Sequence, residues 1–291
     1  MTTVLVTGGN IGNYVAEELA RKKIPVRVLV RSVKPNAKWD RLGIEQVAGD
    51  VANPDSLSPA FQGVEQFFSV TPFVANLVEL GTNAVEAAQK AGVRHIVRSS
   101  AMGASETGIT MWRWHREVEK AVETSGIPYT ILQPNTFMQS YLMNAESVKR
   151  DNAFYLPQGE GKVSLVDARD IAAVAVVALT ESGHENKKYV ITGGEALSNY
   201  DIADKLSKVL EKKVRYVDVD EKQAEESMLR AGLPDWTVKA VLELFEVSKA
   251  GQVAEVSSAV EQVVKRKPNS FDKFLTDNAS SFREDRGIGA A

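Results

Sequence analysis

A chain of 291 residues with 44% hydrophobic and 25% charged residues has the composition of an ordinary globular protein, with material for one main domain and an appended lobe. Its formal charge of -3, spread without long like-sign runs, excludes the basic field of a nucleic-acid binder and the polybasic patch of a membrane-surface protein. The absence of cysteine excludes disulfides, thiolate metal sites and cysteine nucleophiles, and no His/Asp/Glu spacing suggests a metal.

Met1-Thr2-Thr3 runs directly into Val4-Leu5-Val6 with no basic segment or cleavage site. The longest apolar stretch, Ile171 to Leu179, falls far below the ~20 residues of a membrane span, so a cytoplasmic protein is expected. Short apolar runs then alternate with longer helical patterns, the signature of βαβ units and a parallel sheet. Strands are predicted near Thr3–Thr7, Pro25–Val30, Glu45–Ala48, Gln66–Ser69, His95–Arg98 and Tyr129–Gln133. Helices are predicted near Ile11–Lys22, Ser56–Phe61, Leu77–Ala91 and Trp112–Ser125. The fold class is therefore α/β, a Rossmann-type doubly wound parallel sheet over residues 1–134, with its site at the carboxyl ends of the strands. After Pro134 helices dominate, and residues 135–283 read as a smaller, mainly helical substrate lobe interleaved with the core. Asp167 is read as capping the run to Leu179, Lys188–Thr192 and Val214–Val217 as strands, and 284–291 as a loose tail.

Between the first strand and the first helix stand Gly8, Gly9, Asn10, Ile11 and Gly12, where a dinucleotide pyrophosphate would meet helix N–H groups and the positive end of the helix dipole. Gly8 and Gly9 would let the backbone turn tightly; Gly12 would let the helix pack close to the strand. About twenty residues on, a site for NAD carries an acid, whereas an arginine suits a 2′-phosphate. That position here is Arg31, followed by Lys34 and Lys38, with no acid before Asp40, so the expected cofactor is NADPH (NADP). Asp50, with Val51 after the third strand, is read either as an acceptor for the adenine amine or as a turn residue ahead of Asn53-Pro54. Thr71 and Pro72 after the fourth strand, and Pro134 after the sixth, complete the expected cofactor contacts.

Taken together, Val6-Thr7-Gly8, Asn10-Ile11-Gly12, Arg31, Gly49-Asp50, Gly92 to Val97 and Ile127 to Leu132 resemble the NmrA-like atypical short-chain dehydrogenase/reductase family. The resemblance spans nearly the whole chain. It continues through Gly159-Glu160-Gly161-Lys162, Asp167 to Ala172 and Ala231 to Pro234, while Arg266 to Phe271 is similar to the ergot-alkaloid iminium reductases within it. It implies NADP(H) and flavin-independent reduction, as in the family's triphenylmethane-dye, quinone and azo reductases. Two departures stand out. The family's glycine loop is two residues longer, which implies fewer N–H groups for the pyrophosphate here. The Tyr-x-x-x-Lys acid of ordinary short-chain dehydrogenases is absent, and Trp112, Trp114, His115 and Glu119 occupy the corresponding helix.

Without that acid, an unactivated ketone is a poor acceptor, whereas a quinone, azo dye, triarylmethane cation or cyclic iminium gives a stabilised product and needs positioning above all. His115, oriented by Glu119 one turn on, is the candidate catalytic acid, since histidine titrates near neutrality. Phe73, Trp112, Trp114, Phe137, Met138 and Tyr141 are expected to converge as an aromatic substrate pocket. The partner is then a small-molecule substrate, with a homodimer left open. The alternative is an NADP(H)-sensing regulator of the NmrA type, which docks a regulatory protein partner without turnover.

Overall fold

The alternation of apolar runs folds into parallel strands in a computed structural model that describes residues 3–283; the tail expected at 284–291 lies outside the described residues. The strands are β1 (Val4–Thr7), β2 (Val26–Val30), β3 (Glu45–Ala48), β4 (Gln66–Ser69), β5 (His95–Ser99), β6 (Tyr129–Pro134), β7 (Ala153–Leu156), β8 (Lys162–Val163), β9 (Lys187–Ile191), β10 (Leu197–Ser198) and β11 (Arg215–Asp218). A seven-stranded sheet in the order β3-β2-β1-β4-β5-β6-β9 is parallel throughout. Both β2 and β4 pair with β1, so the winding reverses between β1 and β4 and opens a crevice at their carboxyl ends.

The chain divides into two compact units. Among the described residues, the first holds 3–134, 168–191 and 258–266; the second holds 135–167, 192–257 and 267–283. Helix Ala168–Thr180, strand β9 and helix Ala259–Val264 therefore belong with the sheet, although they follow Pro134 in sequence.

In the first unit, Leu5, Phe67 and Ile96 on one sheet face pack with Phe61, Ala84, Ala88 and Val122 from the helices Ser58–Phe61, Leu77–Lys90 and Thr110–Thr124. The helix Asn10–Arg21 buries Ile11, Val15, Ala16 and Leu19, the spacing of a single helical face. A further helix, Ala37–Leu42, was not legible in the charged stretch after β2. It exists because Asn36 caps it, accepting from the Trp39 N–H at 3.1 Å, and because Trp39 is buried.

At Gly12 helix and strand come so close that a Cβ would collide with the Thr7 carbonyl oxygen. Gly12→Val is expected to cost about 2–3 kcal/mol, the usual cost of overpacking, read as a lowered midpoint in chemical unfolding. An unchanged midpoint would show that the helix shifts freely here.

The second unit carries two small ribbons, β7 with β11 in parallel and β8 with β10 antiparallel. β8 and β10, of two residues each, are too short for periodicity to separate them from helix, and neither they nor β7 were anticipated. Its core is aromatic: Tyr141 meets Phe154 and Phe271 edge-on at 6.1 and 5.5 Å between ring centres.

Candidate active site

Gly9 has φ 105°, a conformation only glycine adopts readily, and no atom stands within 4 Å of where its Cβ would be. The helix beginning at Asn10 has no side-chain cap and no acid in its first turn. Its first N–H groups therefore have no partner within the helix and face the open side of the glycine turn, with the positive end of the dipole behind them. Beside it, Thr7 ties β1 to β4: its Oγ1 accepts from the Val70 N–H at 2.7 Å and donates to the Val70 carbonyl at 2.9 Å. The residues present thus fit a pyrophosphate at the reversal point of the sheet.

Arg31 is exposed at the end of β2, and its side chain makes no ion pair among the described residues. Lys34 is also exposed, and its backbone is gripped on both sides by the Gln46 amide, which accepts from the Lys34 N–H at 3.3 Å and donates to its carbonyl at 2.7 Å. Lys38 corrects an expectation: it lies on the helix Ala37–Leu42 and its ammonium is held by Glu17 at 2.6 Å, a carboxylate it shares with Arg21. Asp50 forms the turn. Its Oδ1 accepts from the Ala52 N–H at 2.9 Å, and its own N–H donates to Ser56 Oγ. Val51 packs against the first unit's core and its carbonyl accepts from Asn83.

The helix Thr110–Thr124 follows β5 along the same edge. Trp114 and Phe73 form a half-buried aromatic pair with centres 6.3 Å apart. Trp112 behaves differently: its indole lies against Gly103 and Gly108 of the preceding loop and staples that loop to its own helix.

His115 corrects a larger expectation. Burial and the nearby Arg98 cation push its pKa down to about 3, so the ring is neutral at pH 7 and is no protonated acid. Its Nδ1 is buried without a hydrogen-bond partner. Nor does Glu119 orient it. The fully buried Glu119 carboxylate accepts from Ser100 (2.7 Å), Gln133 (2.8 Å), Arg116 (3.2 Å) and Lys188 (2.8 Å), and so ties the helix to β6 and β9.

Arg98 was passed over in sequence as part of a strand. Alternation along β5 sets it on the face of Ile96, and a charged residue in that core-facing register is the signal that could have found it.

The two aromatics and the methionine expected from the segment after β6, Phe137, Tyr141 and Met138, lie in the second unit. Met138 and Tyr141 are core residues, 2% and 7% exposed, and the Tyr141 hydroxyl donates to Asn199 at 2.7 Å, which removes both as pocket walls. Phe137 is half-buried and bridges to Val166.

A glycine-led helix N-terminus at the sheet's reversal point, with Arg31 just past the adjacent strand and in no ion pair among the described residues, is the arrangement of a Rossmann-class protein. Within that class, the model of the NmrA-like family matches residues 1–275, and the chain belongs to that family. It is 39% identical over 282 residues to an NAD(P)H azoreductase from Xenophilus azovorans, covering 96% of this chain and 99% of the relative. A (4-alkanoyl-5-oxo-2,5-dihydrofuran-3-yl)methyl phosphate reductase from Streptomyces griseus is 34% identical, covering 96% and 99%. Among solved structures, an NADPH-dependent quinone oxidoreductase from Escherichia coli in complex with NADPH superposes with a TM-score of 0.84 at 26% identity, covering 94% of this chain and 99% of that one. Among the described residues, no helix is long and apolar enough to cross a membrane.

Proposed function

We propose that the protein is an NADPH-dependent, flavin-independent reductase that transfers hydride to a small electrophilic acceptor of the quinone, azo-dye, triarylmethane-dye or cyclic-iminium class. The observation that carries the reading is the open glycine turn with an uncapped helix N-terminus, next to the unpaired Arg31, in a chain 39% identical to an NAD(P)H azoreductase. NADPH supplies the reducing hydride; the chain's own groups bind and orient. The Gly8 to Gly12 backbone holds the pyrophosphate, Arg31 and Lys34 the 2′-phosphate, and Asp50 and Val51 border the adenine. Thr71 and Pro72 lead along the edge towards the nicotinamide end, and Pro134 closes β6 on the same edge. Phe73 and Trp114 offer flat apolar walls to an aromatic acceptor.

The test follows NADPH absorbance against a neutral quinone, an azo dye, a cationic triarylmethane dye and a cyclic iminium, with no flavin added. Turnover of at least one acceptor is expected. Absence of NADPH consumption with all four would remove the reading.

A further inference from the structure

Arg98 is the largest completely buried side chain among the described residues, and no role in cofactor binding has claimed it. From β5 its guanidinium reaches the end of β4, where Nη1 donates to Ser69 Oγ at 3.3 Å and Nη2 to Thr71 Oγ1 at 2.8 Å. Its Nε has no partner, and no carboxylate among the described residues pairs with it. Glu119 is the acid whose field reaches it, and that carboxylate is already engaged by four other donors. Burial lowers the Arg98 pKa only to about 10, so the group stays a cation at neutral pH. An interior cation held by two neutral hydroxyls is costly, which marks the position as one of function.

A guanidinium has only donors. Thr71 and Ser69 must therefore accept from it, and each keeps its own hydroxyl hydrogen for another acceptor. Ser69 is sealed in the sheet, whereas Thr71 is partly exposed just past β4, beside the crevice between β1 and β4. Neutral His115 does not compete with Arg98 as a positive group.

We propose that Thr71, fixed as a donor by the positioning residue Arg98, receives the negative charge that develops on the acceptor, and that this pair selects uncharged acceptors that become anions over acceptors that are already cations. The inference rests on the reductase reading above. A neutral quinone that gains a hydride, one hydrogen nucleus with two electrons, becomes a hydroquinone monoanion as the nicotinamide donor is oxidised by the same two electrons. A proton from solvent then completes the hydroquinone. The charge appears on the acceptor oxygen, the kind of atom a preorganised donor backed by a buried cation stabilises. A triarylmethane cation loses its charge on gaining hydride, so the same buried cation opposes its binding and does not help its reduction.

The experiment is steady-state kinetics at saturating NADPH with one neutral quinone and one cationic triarylmethane dye, on the wild type and on Thr71→Val, Thr71→Ser and Arg98→Met. NADPH dissociation constants are measured alongside. The wild type is expected to favour the quinone in kcat/KM. Thr71→Val is expected to lower kcat for the quinone by about 10- to 100-fold more than for the dye, on the scale of a lost oxyanion donor. Because Thr71 also stands on the cofactor edge, each variant's rates are read at NADPH concentrations that saturate that variant, and Thr71→Ser should restore the quinone rate. Arg98→Met, if it folds, shifts preference towards the dye; if it does not, the threonine variants decide. Equal losses on both acceptors, no loss on either, or a tenfold weaker NADPH affinity with kcat intact would overturn the inference and leave the reductase reading standing. Wild-type protein that consumes NADPH with neither acceptor, nor with the other two of the panel, removes both.

Discussion

Arg31→Ala is expected to raise the dissociation constant for NADPH about 10- to 100-fold and leave that for NADH within about threefold. A charge-assisted hydrogen bond is worth about 1.5–3 kcal/mol, and about 1.4 kcal/mol is a factor of ten in affinity. Arg31 ends β2 exposed and without an ion-pair partner, so its fork is available to a 2′-phosphate, a group that only NADPH carries. The two Gln46 bonds that hold Lys34 keep the loop from drifting away from that position. Lys38 is the internal control. Its ammonium is held by Glu17, so Lys38→Ala should change the ratio of the two constants by less than about threefold. Because the site is exposed, the preference should also weaken as salt rises. Titration calorimetry of both cofactors with the three proteins decides the matter: an Arg31→Ala variant that keeps the wild-type ratio would place the 2′-phosphate elsewhere.

The wild type should lose stability as pH falls from about 6.5, and His115→Gln should remove part of that loss. Histidine in an unfolded chain takes up a proton near pH 6.5, whereas folded His115 resists it down to about 3 because the half-buried ring is largely desolvated and Arg98 is close. Between those two values the unfolded state binds the extra proton. The stability that neutral His115 allows is thus complete above pH 6.5 and is lost progressively towards pH 3. With allowance for the ring's partial exposure, the loss at pH 4.5 relative to pH 7.5 is about 2 kcal/mol. The measurement is urea unfolding of both proteins from pH 7.5 to 4.5. The difference between the two curves removes the carboxylates common to both, and a difference that does not vary with pH would mean that His115 protonates freely in the folded protein. The same depressed pKa makes a second outcome expected: no break near pH 6.5 in the rate profile that disappears on replacing His115.

The sheet and the glycine turn at its first strand were legible because their signals are local. Hydrophobic period, glycines at the first strand-to-helix turn and an arginine twenty residues on all lie within short windows, and the six strands to Pro134 appear within two residues of the expected bounds. The aromatic pocket was not legible, because an apolar side chain at helical spacing reads the same whether it faces a substrate or a core. Trp112 spends its ring on two glycines of its own loop, and the Met138 and Tyr141 side chains fill the second unit's interior.

By itself, then, the order of residues determined the doubly wound class, the glycine turn at the first strand-to-helix junction and the exposed arginine after the second strand, since each depends on neighbours in sequence. Tertiary structure alone decided the state of the ionisable groups. Glu119 is drawn from a supposed partnership with His115 into bonds with Ser100, Gln133, Arg116 and Lys188, and His115 is left neutral. Arg98, an unremarked strand residue, becomes a buried cation joined to Thr71 from the adjacent strand. A side chain's proton affinity is set by desolvation and by charges brought close from distant parts of the chain, and neither exists until the chain has folded.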